Sequence, residues 1–362
     1  MSSPDDLWEV LQQGEPQLGE PVRFDIGPIF DTDPEALDRT CGRVGGFIRS
    51  FRPHPVLAAE REQGRWNEAE SETLWLRHSL LQALDHVTVT GSQRVGCYVA
   101  ALPGGFLSAE DAVLVSVAGQ LADRRASAAG EQAGHERRLR ELLAGRYRHA
   151  PADSQWVRPD VVLRRAVEGL LPPAIDWLTV STACASSLNA IDIGLHRLRA
   201  GDCDVAFCGS VYGLGRFMAV GAAKFKGLSL SGDLRAFDAQ ADGTIFSEAA
   251  TMVVLKRLET ARADGDRILG VITGCGLSSD GRDKAIAAPS PAGQRRAIER
   301  AWTAAGVCGT DVDWVIAHGT GTLAGDRVEI DVLSGLSGVA GLTCTANKSS
   351  LATRAGRLAV YR

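Results

Sequence analysis

The sequence predicts an α/β fold built on a parallel or mixed sheet. From residue 161 onward, short apolar runs of strand type alternate with helical patterns. One of them, CDVAFCGSV, is apolar almost throughout, which is typical of a strand buried on both faces. Helices between such strands cover the two faces of the sheet. A chain of 362 residues is long enough for two such domains or for one large duplicated fold.

The amino-terminal elements are predicted from local signals. A helix begins after Ser3, a suitable N-cap, and residues 21–70 are expected to be irregular because Pro and Gly interrupt them. Leucines at helical spacing predict a helix over residues 71–88, and an apolar run predicts a strand over 94–102. Residues 107–149 are expected to form a charged helical excursion that is solvated, because acidic residues interrupt its arginines.

The later elements are predicted from the alternating pattern. The predicted strands are 175–182, 203–211, 250–258, 267–281, 312–317 and 341–349. The predicted helices are 166–174, 186–201, 290–306 and 326–336. Glycines stand where two of these helices are expected to end, at Gly201 and Gly306, and Ser290 is an expected N-cap.

Composition and charge argue against several classes of protein. A net charge of -5 gives no electrostatic reason to expect a nucleic-acid partner. No apolar run approaches the ~20 residues of a membrane-spanning helix, and the acidic start MSSPDDLWEV lacks the pattern of a signal peptide. The eight cysteines form no CxxC pair, which argues against a structural zinc site. We therefore expect a cytoplasmic protein with reduced thiols and without a metal.

Cys184 is the first candidate for chemistry. It lies in VSTACASSLNAIDIG, between a predicted strand and a predicted helix, so its thiol is expected at a helix N-terminus. A helix dipole stabilises a thiolate there, and free helix amides can hold the oxyanion of a thioester under attack. The alternative is a structural cysteine buried in a tight turn.

Two further candidates also follow predicted strands. His318 lies in HGTGT, where a strand enters a Gly-rich turn at the carboxyl edge of the sheet, the place where α/β sites form. Lys348 follows the next strand, in TANKSS. The alternatives are a histidine hydrogen-bonded within the turn and an ordinary surface lysine. Cys184, His318 and Lys348 together point to a catalytic site more strongly than any one of them alone.

Four segments together resemble the β-ketoacyl synthases, the condensing enzymes of fatty-acid and polyketide assembly. TACASS at 182–187 resembles their nucleophile motif TACSSS, and HGTGTLAGDRVE at 318–329 resembles HGTGTxxGDxxE. RAFDAQADGTIFSEAATMVVLKRL at 235–258 is similar to their FDxxADG segment, and NKSSLATRAG at 347–356 to KSNIGHxxAAAG. The four segments stand in the family's order, and the resemblance is dense over residues 176–356.

The resemblance implies a thiolase-like fold, with two related βαβαβαββ halves in a five-layered αβαβα sandwich. It implies an amino-terminal half over residues 1–175 and a remainder over 176–362. It implies no bound cofactor, because acyl groups arrive on the phosphopantetheine of an acyl carrier protein. It also implies a dimer, either with an identical chain or with another ketosynthase-like chain, through the strand after the nucleophile helix, here 203–211.

The resemblance also implies roles for residues. Cys184 is the acyl acceptor, His318 its electrophilic or basic partner, and Lys348 an organiser of the site. The supporting residues are Asp326, Glu329, Thr320 and Thr322, with Thr353 at the position of the family's second histidine. Four apolar residues near these segments either pack in the core, the expected role, or line an acyl pocket: Phe217, Met218, Phe225 and Phe246.

This sequence departs from the family pattern at several positions. Thr353 stands where the family has its second active-site histidine, five residues after Lys348. The other departures are Ala352 and Ser350 in the same segment and Ala249 and Thr251 in place of glycines. The family's first strand and its carboxyl-terminal GFGG-type loop, which supplies an oxyanion-hole amide, are missing from these residues. We expect a fragment, a site completed by a partner chain, or a protein that no longer condenses.

These departures favour acyl loading over condensation. Loading needs a nucleophile, an oxyanion hole and an activating dipole. Decarboxylation of a malonyl extender needs donors to an enolate, which are two histidines in the family, and a Thr hydroxyl donates one hydrogen bond without titrating near neutral pH. The alternatives are transacylation or cyclisation from the acyl-cysteine, or a non-catalytic partner of chain-length-factor type. The intact Cys184 argues against the last.

The missing imidazole gives a prediction about decarboxylation. Since one positioned donor contributes roughly 10²–10³ in rate, the wild-type protein should release little CO2 from a malonyl carrier thioester. Restoring the histidine with Thr353→His, together with Ala352→Gly, should raise that release. The assay is labelled CO2 from a malonyl thioester labelled at its free carboxyl. Rapid release and a condensed product from the wild type would contradict the prediction.

Overall fold

The fold was analysed in a computed structural model. It describes residues 2–14, 17–66, 70–102, 134, 138, 141, 158–282, 285, 288–336 and 343–348. Contacts divide the chain into two compact units, each assembled from separate segments. Unit 1 consists of Met1–Phe51, Met218–Ser247 and Leu269–Arg362, and unit 2 of Arg52–Phe217 and Glu248–Ile268. The boundary after residue 175, expected from the family resemblance, stays a prediction.

Helices and strands alternate in both units, which fits the α/β prediction. The helices are α1 (Pro4–Gln13), α2 (Pro55–Glu62), α3 (Ser71–Leu84), α4 (Pro159–Val167), α5 (Ser186–Ala200), α6 (Arg216–Lys224), α7 (Leu258–Ala263), α8 (Pro291–Ala305) and α9 (Leu323–Ser334). The strands are β1 (Val95–Ala101), β2 (Asp176–Val180), β3 (Val205–Tyr212), β4 (Ala249–Lys256), β5 (Trp314–Ile316) and β6 (Thr343–Thr345). Among the described residues, no helix is long and apolar enough to cross a bilayer.

Unit 2 is organised around a four-stranded sheet in the order β2-β1-β3-β4. Strand β1 pairs in parallel with both β2 and β3, whereas β4 runs antiparallel to β3. Every residue of β1 is buried, as its apolar sequence predicts. Helix α5 packs on this sheet closely enough that a Cβ added at Gly194 would lie 2.4 Å from the Cys208 sulfur. The glycine is therefore needed for the helix to approach β3.

The sheet order corrects the expected dimer strand. Residues 203–211 contain β3, and β3 is hydrogen-bonded to β1 on one side and to β4 on the other. Its backbone is fully used inside the sheet, so the prediction that it pairs with a second chain is wrong. Within the described part of the chain, β2 lies at the edge of this sheet.

Three thiols lie in the core of unit 2. Cys97, Cys203 and Cys208 are each at most 1% exposed. Burial raises the pKa of Cys97 to about 12 and also raises the pKa of Cys203 and of Cys208. These residues behave as small apolar side chains, as expected for reduced cysteines.

A buried arginine connects the helices of unit 2. The Arg77 side chain on α3 is 1% exposed and pairs with Glu60 of α2, with 2.7 Å between Nε and Oε2. Its Nη1 donates to the carbonyl oxygens of Ala166 and Glu168 at the end of α4, at 3.0 and 2.8 Å. The Trp66 indole donates to the same Glu60 carboxylate at 2.9 Å. One cation therefore holds three helices together.

Unit 1 contains a two-stranded parallel sheet, β5 and β6, together with α8 and α9. The strand predicted over residues 267–281 does not form in the structure. Its residues instead run along α8, where a Cβ added at Gly274 would lie 2.4 Å from the Ala301 carbonyl oxygen. An arginine of α8, Arg300, donates to the Leu277 carbonyl in the same segment. The strand predicted from the apolar pattern is therefore wrong, and part of this segment packs against a helix.

Local signals predicted the start of α1 but not the helices α2 and α6. Ser3 caps α1 by accepting the Asp6 backbone N–H at 3.1 Å, as predicted. Within the expected irregular stretch the chain forms α2, which begins at Pro55 with the His54 side chain as its cap. Helix α6 was not predicted at all. The charged excursion over 107–149 lies outside the described residues except for three isolated positions.

The buried ion pair gives a stability prediction for unit 2. Arg77→Leu leaves the Glu60 carboxylate without its main partner and two carbonyls without their donor, so the free energy of unfolding should fall by about 3 kcal/mol. The matched control is Arg65→Leu, which removes a 40% exposed partner of the same carboxylate and should cost less than about 1 kcal/mol. Urea titration followed by circular dichroism measures both, and equal losses would contradict the assigned role.

Candidate active site

Cys184 lies in a sharp elbow between β2 and α5. Strand β2 ends at Val180, α5 begins at Ser186, and Cys184 is exposed between them. The residue before it, Ala183, has φ of +51°, a left-handed conformation that costs a non-glycine residue roughly 1–2 kcal/mol. The exposure contradicts the alternative of a buried structural cysteine. The prediction of a thiol at the start of a helix is confirmed.

Ser186 closes the elbow from inside. It is 5% exposed, accepts the Thr182 backbone N–H at 2.7 Å and donates to the Ala183 carbonyl at 2.6 Å. The hydroxyl therefore links the two residues that precede the cysteine to the first turn of α5. This link offsets part of the cost of the left-handed residue.

The first helix amides are used within the elbow. The backbone N–H of Ala185 donates to the Thr182 carbonyl at 3.3 Å, and that of Ser186 donates to the Ala183 carbonyl at 3.1 Å. Both donors are therefore occupied and do not face an incoming carbonyl. The expectation that the amides following Cys184 hold the oxyanion needs this correction for these two residues.

His318 is held by the carboxylate of Glu329. It follows β5, and its backbone N–H donates to Glu329 Oε1 at 2.7 Å. The next amide, of Gly319, donates to Glu329 Oε2 at 2.9 Å. Both oxygens of one carboxylate on α9 thus fix the backbone that carries the imidazole. Glu329 thus holds the loop through its backbone amides.

Asp326 fixes the next part of the turn. Its side chain is buried, and its two oxygens accept the backbone N–H of Gly321 at 3.1 Å and of Phe237 at 2.6 Å. Burial raises the pKa of Asp326, and these backbone hydrogen bonds act against that rise. Gly321 has φ of +75°, and a Cβ there would lie 2.7 Å from the Gly243 carbonyl oxygen, so the turn requires glycine. The hydroxyls of Thr320 and Thr322 lie 2.9 Å apart beside it.

Lys348 contacts the imidazole of His318. It follows β6, and its Nζ lies 3.4 Å from His318 Nδ1 and also donates to the His318 carbonyl. An ammonium has only protons to give, so Nδ1 is the acceptor and Nε2 carries the proton. Although the residue reaches solvent, desolvation and then the Lys348 charge lower the pKa of His318, while Glu329 acts to raise it. The imidazole is therefore neutral near pH 7.

The predicted site residues fall into the two units. His318, Lys348, Glu329 and Asp326 come together in unit 1, and Cys184 belongs to unit 2. Thr353 lies outside the described residues.

The core-packing role expected for four apolar residues is wrong for two of them. Phe217 is 68% exposed and Phe225 is 72% exposed, whereas Met218 and Phe246 are half-buried. Phe217 lies in the first turn of α6, and Phe225 directly follows its last residue. Their exposure leaves the alternative of a surface that meets an apolar ligand.

Sequence reasoning missed three residues of the site: Ser186, Asn189 and Phe237. Ser186 and Asn189 form hydrogen bonds across the elbow, and the Phe237 amide binds Asp326. A polar residue in the first turn of a helix is a general signal for capping and was available for Ser186. No local signal marks the Phe237 amide, because its partner is distant in sequence.

Two family models match this chain. They describe the β-ketoacyl synthase N-terminal domain, over residues 177–261, and the β-ketoacyl synthase C-terminal domain, over residues 269–356. The matched segments contain the elbow, the Gly-rich turn and Lys348.

Curated relatives and solved structures agree with these matches. A type I polyketide synthase of phenolphthiocerol synthesis from Mycobacterium bovis is 31% identical over 347 residues, which is 92% of this chain and 14% of that protein. The mycoketide-CoA synthase of Mycobacterium tuberculosis is 31% identical over 92% of this chain and 7% of its own length. This chain thus spans a small part of each relative.

Among solved structures, an oxazolomycin ketosynthase domain from Streptomyces albus JA3453 matches with a TM-score of 0.71 and 24% identity, over 96% of this chain and 56% of that one. The PfaC keto synthase-chain length factor matches with a TM-score of 0.75 and 20% identity, over 95% of this chain and 37% of that one. These similarities establish the fold, which is thiolase-like, as predicted.

The contact between Lys348 and the imidazole gives a prediction about pH. Lys348→Met removes a positive charge beside the ring and should raise the pKa of His318, whereas Lys348→Arg keeps the charge and should leave it close to the wild-type value. The imidazole C2 proton followed by NMR from pH 4 to 9 measures both.

The lowered pKa of His318 also determines how the free energy of unfolding depends on pH. Because the folded pKa of His318 is below the unfolded value of about 6.5, the unfolded chain binds more protons in that window. This residue's contribution to the free energy of unfolding should fall as pH drops below about 6.5, and less so in Lys348→Met. Equal pKa values in Lys348→Met and Lys348→Arg would contradict the electrostatic argument.

Proposed function

Because the chain belongs to the β-ketoacyl synthase family, we propose that it loads an acyl group from a carrier-protein thioester onto Cys184 and transfers it in polyketide assembly. The observation that carries this proposal is the exposed thiol of Cys184 in a braced elbow at the start of α5. An exposed thiol can reach an incoming thioester, which a buried structural cysteine cannot.

The loading step transfers the acyl group between two sulfur atoms. The Cys184 thiolate attacks the carbonyl carbon of the acyl-phosphopantetheine thioester and forms a new C–S bond. The bond to the pantetheine sulfur then breaks, and the departing thiolate takes a proton from solvent. Since the amides of Ala185 and Ser186 are occupied, we assign the Cys184 backbone N–H as the elbow's donor to the carbonyl oxygen. No bound cofactor takes part in this proposal.

His318 supplies a hydrogen-bond donor in the proposed reaction. A neutral imidazole with Nδ1 turned to Lys348 presents an Nε2 proton, which suits an oxyanion or an enolate. Lys348 and Glu329 position this ring and its backbone, and Asp326, Thr320 and Thr322 shape the turn beneath it. Phe217, Phe225, Met218 and Phe246 are proposed to line the acyl site.

A second candidate is an acyl-cysteine enzyme with a non-condensing outcome, such as transacylation or cyclisation. Thr353 in place of the second histidine favours it, because a donor to the malonyl-derived enolate is then replaced by a hydroxyl. A non-catalytic partner role of chain-length-factor type is disfavoured by the exposed Cys184.

Partners follow from the same proposal. An acyl carrier protein would deliver the substrate, and a second ketosynthase-like chain, identical or different, would pair with this one. Strand β2 is the better candidate for that pairing, because in the described part of the chain it is a sheet edge, with Trp177 39% and Leu178 46% exposed. We propose a cytoplasmic location, which the eight free cysteines support.

The assignment of the nucleophile gives the central prediction. Incubation with acyl-carrier thioesters should add one acyl mass to the wild-type protein, and Cys184→Ala should abolish this gain while leaving the circular dichroism spectrum unchanged. The matched control is Cys308→Ala, since Cys308 is also an exposed free thiol. Intact-mass spectrometry measures all three. Acylation of Cys184→Ala at the wild-type rate would identify another residue as the acceptor.

A further inference from the structure

The side chain of Asn189 makes a second link across the elbow that carries Cys184. Its Nδ2 donates to the Thr182 hydroxyl at 3.0 Å and to the Ala185 carbonyl at 2.9 Å. Thr182 and Ala185 lie on opposite sides of Cys184 in the chain. One amide on the first turn of α5 therefore joins the residue that leaves the strand to the residue that enters the helix.

This elbow requires more support than an ordinary turn. Ala183 is left-handed without being glycine, and residues 181–185 are all exposed, so packing does little to hold them. The Ser186 hydroxyl ties the backbone on the inner side, from Thr182 N–H to the Ala183 carbonyl. Asn189 makes the only described side-chain bond to the Thr182 hydroxyl and so limits the rotation of that residue.

The Ala185 carbonyl accepts two hydrogen bonds from Asn189. It accepts the backbone N–H of Asn189 at 3.0 Å in the ordinary helical bond, and it accepts the Asn189 side-chain amide at 2.9 Å as well. Both hydrogens come from one residue, and the same side-chain amide also donates to the Thr182 hydroxyl. A residue without a side-chain amide cannot reproduce this arrangement.

We propose that Asn189 is a positioning residue for Cys184: its side-chain amide, bonded to Thr182 and Ala185, fixes the elbow that directs the thiol at the substrate thioester. The part of this proposal in which Cys184 attacks a thioester rests on the proposed function. The part in which Asn189 holds the elbow rests on the hydrogen-bond geometry alone. Attack on a thioester carbonyl depends strongly on placement, so a loosened elbow lowers the rate of acyl transfer more than substrate binding.

The test compares five variants in two measurements. Asn189→Ala removes the amide, and Asn189→Leu keeps the bulk without either donor or any acceptor if the alanine variant does not fold. Thr182→Val removes the accepting hydroxyl, Thr182→Ser retains it, and Ser187→Ala on the same helical turn is the matched control. The double variant Thr182→Val with Asn189→Ala is measured beside these five single variants. The first measurement is hydrogen exchange of the peptide spanning residues 181–186, and the second is the single-turnover rate of acyl loading at saturating carrier thioester.

Asn189→Ala and Asn189→Leu should each speed exchange about tenfold and slow loading about tenfold, with little change in the carrier concentration that gives half-saturation. Thr182→Ser and Ser187→Ala should match the wild type in both measurements. Because Asn189 acts through Thr182, the double variant Thr182→Val with Asn189→Ala should be no worse than the more impaired single variant.

Three results would overturn the proposal. They are Asn189 variants that exchange no faster than Ser187→Ala, faster exchange without any loss of loading, and strictly additive losses in the double variant. If the wild-type protein loads no acyl group, the proposed function fails, yet the exchange measurement and its double-variant cycle still decide whether Asn189 fixes the elbow. The two failures are therefore distinguishable.

Discussion

The arrangement of unit 1 depends on two carboxylates that accept backbone N–H groups. Glu329 and Asp326 stand one turn apart on α9, and their four oxygens accept the amides of His318, Gly319, Gly321 and Phe237. Such charge-assisted bonds are shorter and stronger than neutral ones. They turn a glycine-rich loop, which would otherwise be among the most mobile parts of a chain, into a rigid support for an imidazole. The backbone that carries the imidazole is thus held by carboxylates of α9.

In unit 2, uncharged side chains hold the backbone around Cys184. Cys184 lies in a strained and exposed elbow, and the hydroxyl of Ser186 and the amide of Asn189 brace it. Both of these bracing side chains are uncharged, in contrast to the two carboxylates of unit 1. Cys184 and His318 are therefore held by different kinds of support. The carboxylates lie under the imidazole, and neutral side chains lie around the sulfur.

Sequence alone predicted the elements whose signals are local. The buried strand β1, the long helices α3, α5 and α8, and the caps at Ser3, Ser290 and Gly201 all follow from periodicity or from a single residue type. The contacts that organise the site are not local. The Phe237 amide is 89 residues from Asp326, and no spacing rule connects them. Residues 267–281 show the converse case, since their apolar pattern predicted a strand that the structure does not form.

The burial of Cys97, Cys203 and Cys208 has a consequence for chemical labelling. Their thiols are shielded from solvent, and burial holds their pKa values above the usual range, so thiolate is scarce at these sites. An electrophilic probe applied to the folded protein is thereby excluded from these three thiols. It meets Cys184 and Cys308 at the surface, while Cys41, Cys275 and Cys344 are half-buried. Burial alone thus protects three of the eight cysteines from an electrophile. A covalent ligand for this chain has to distinguish only among the remaining thiols.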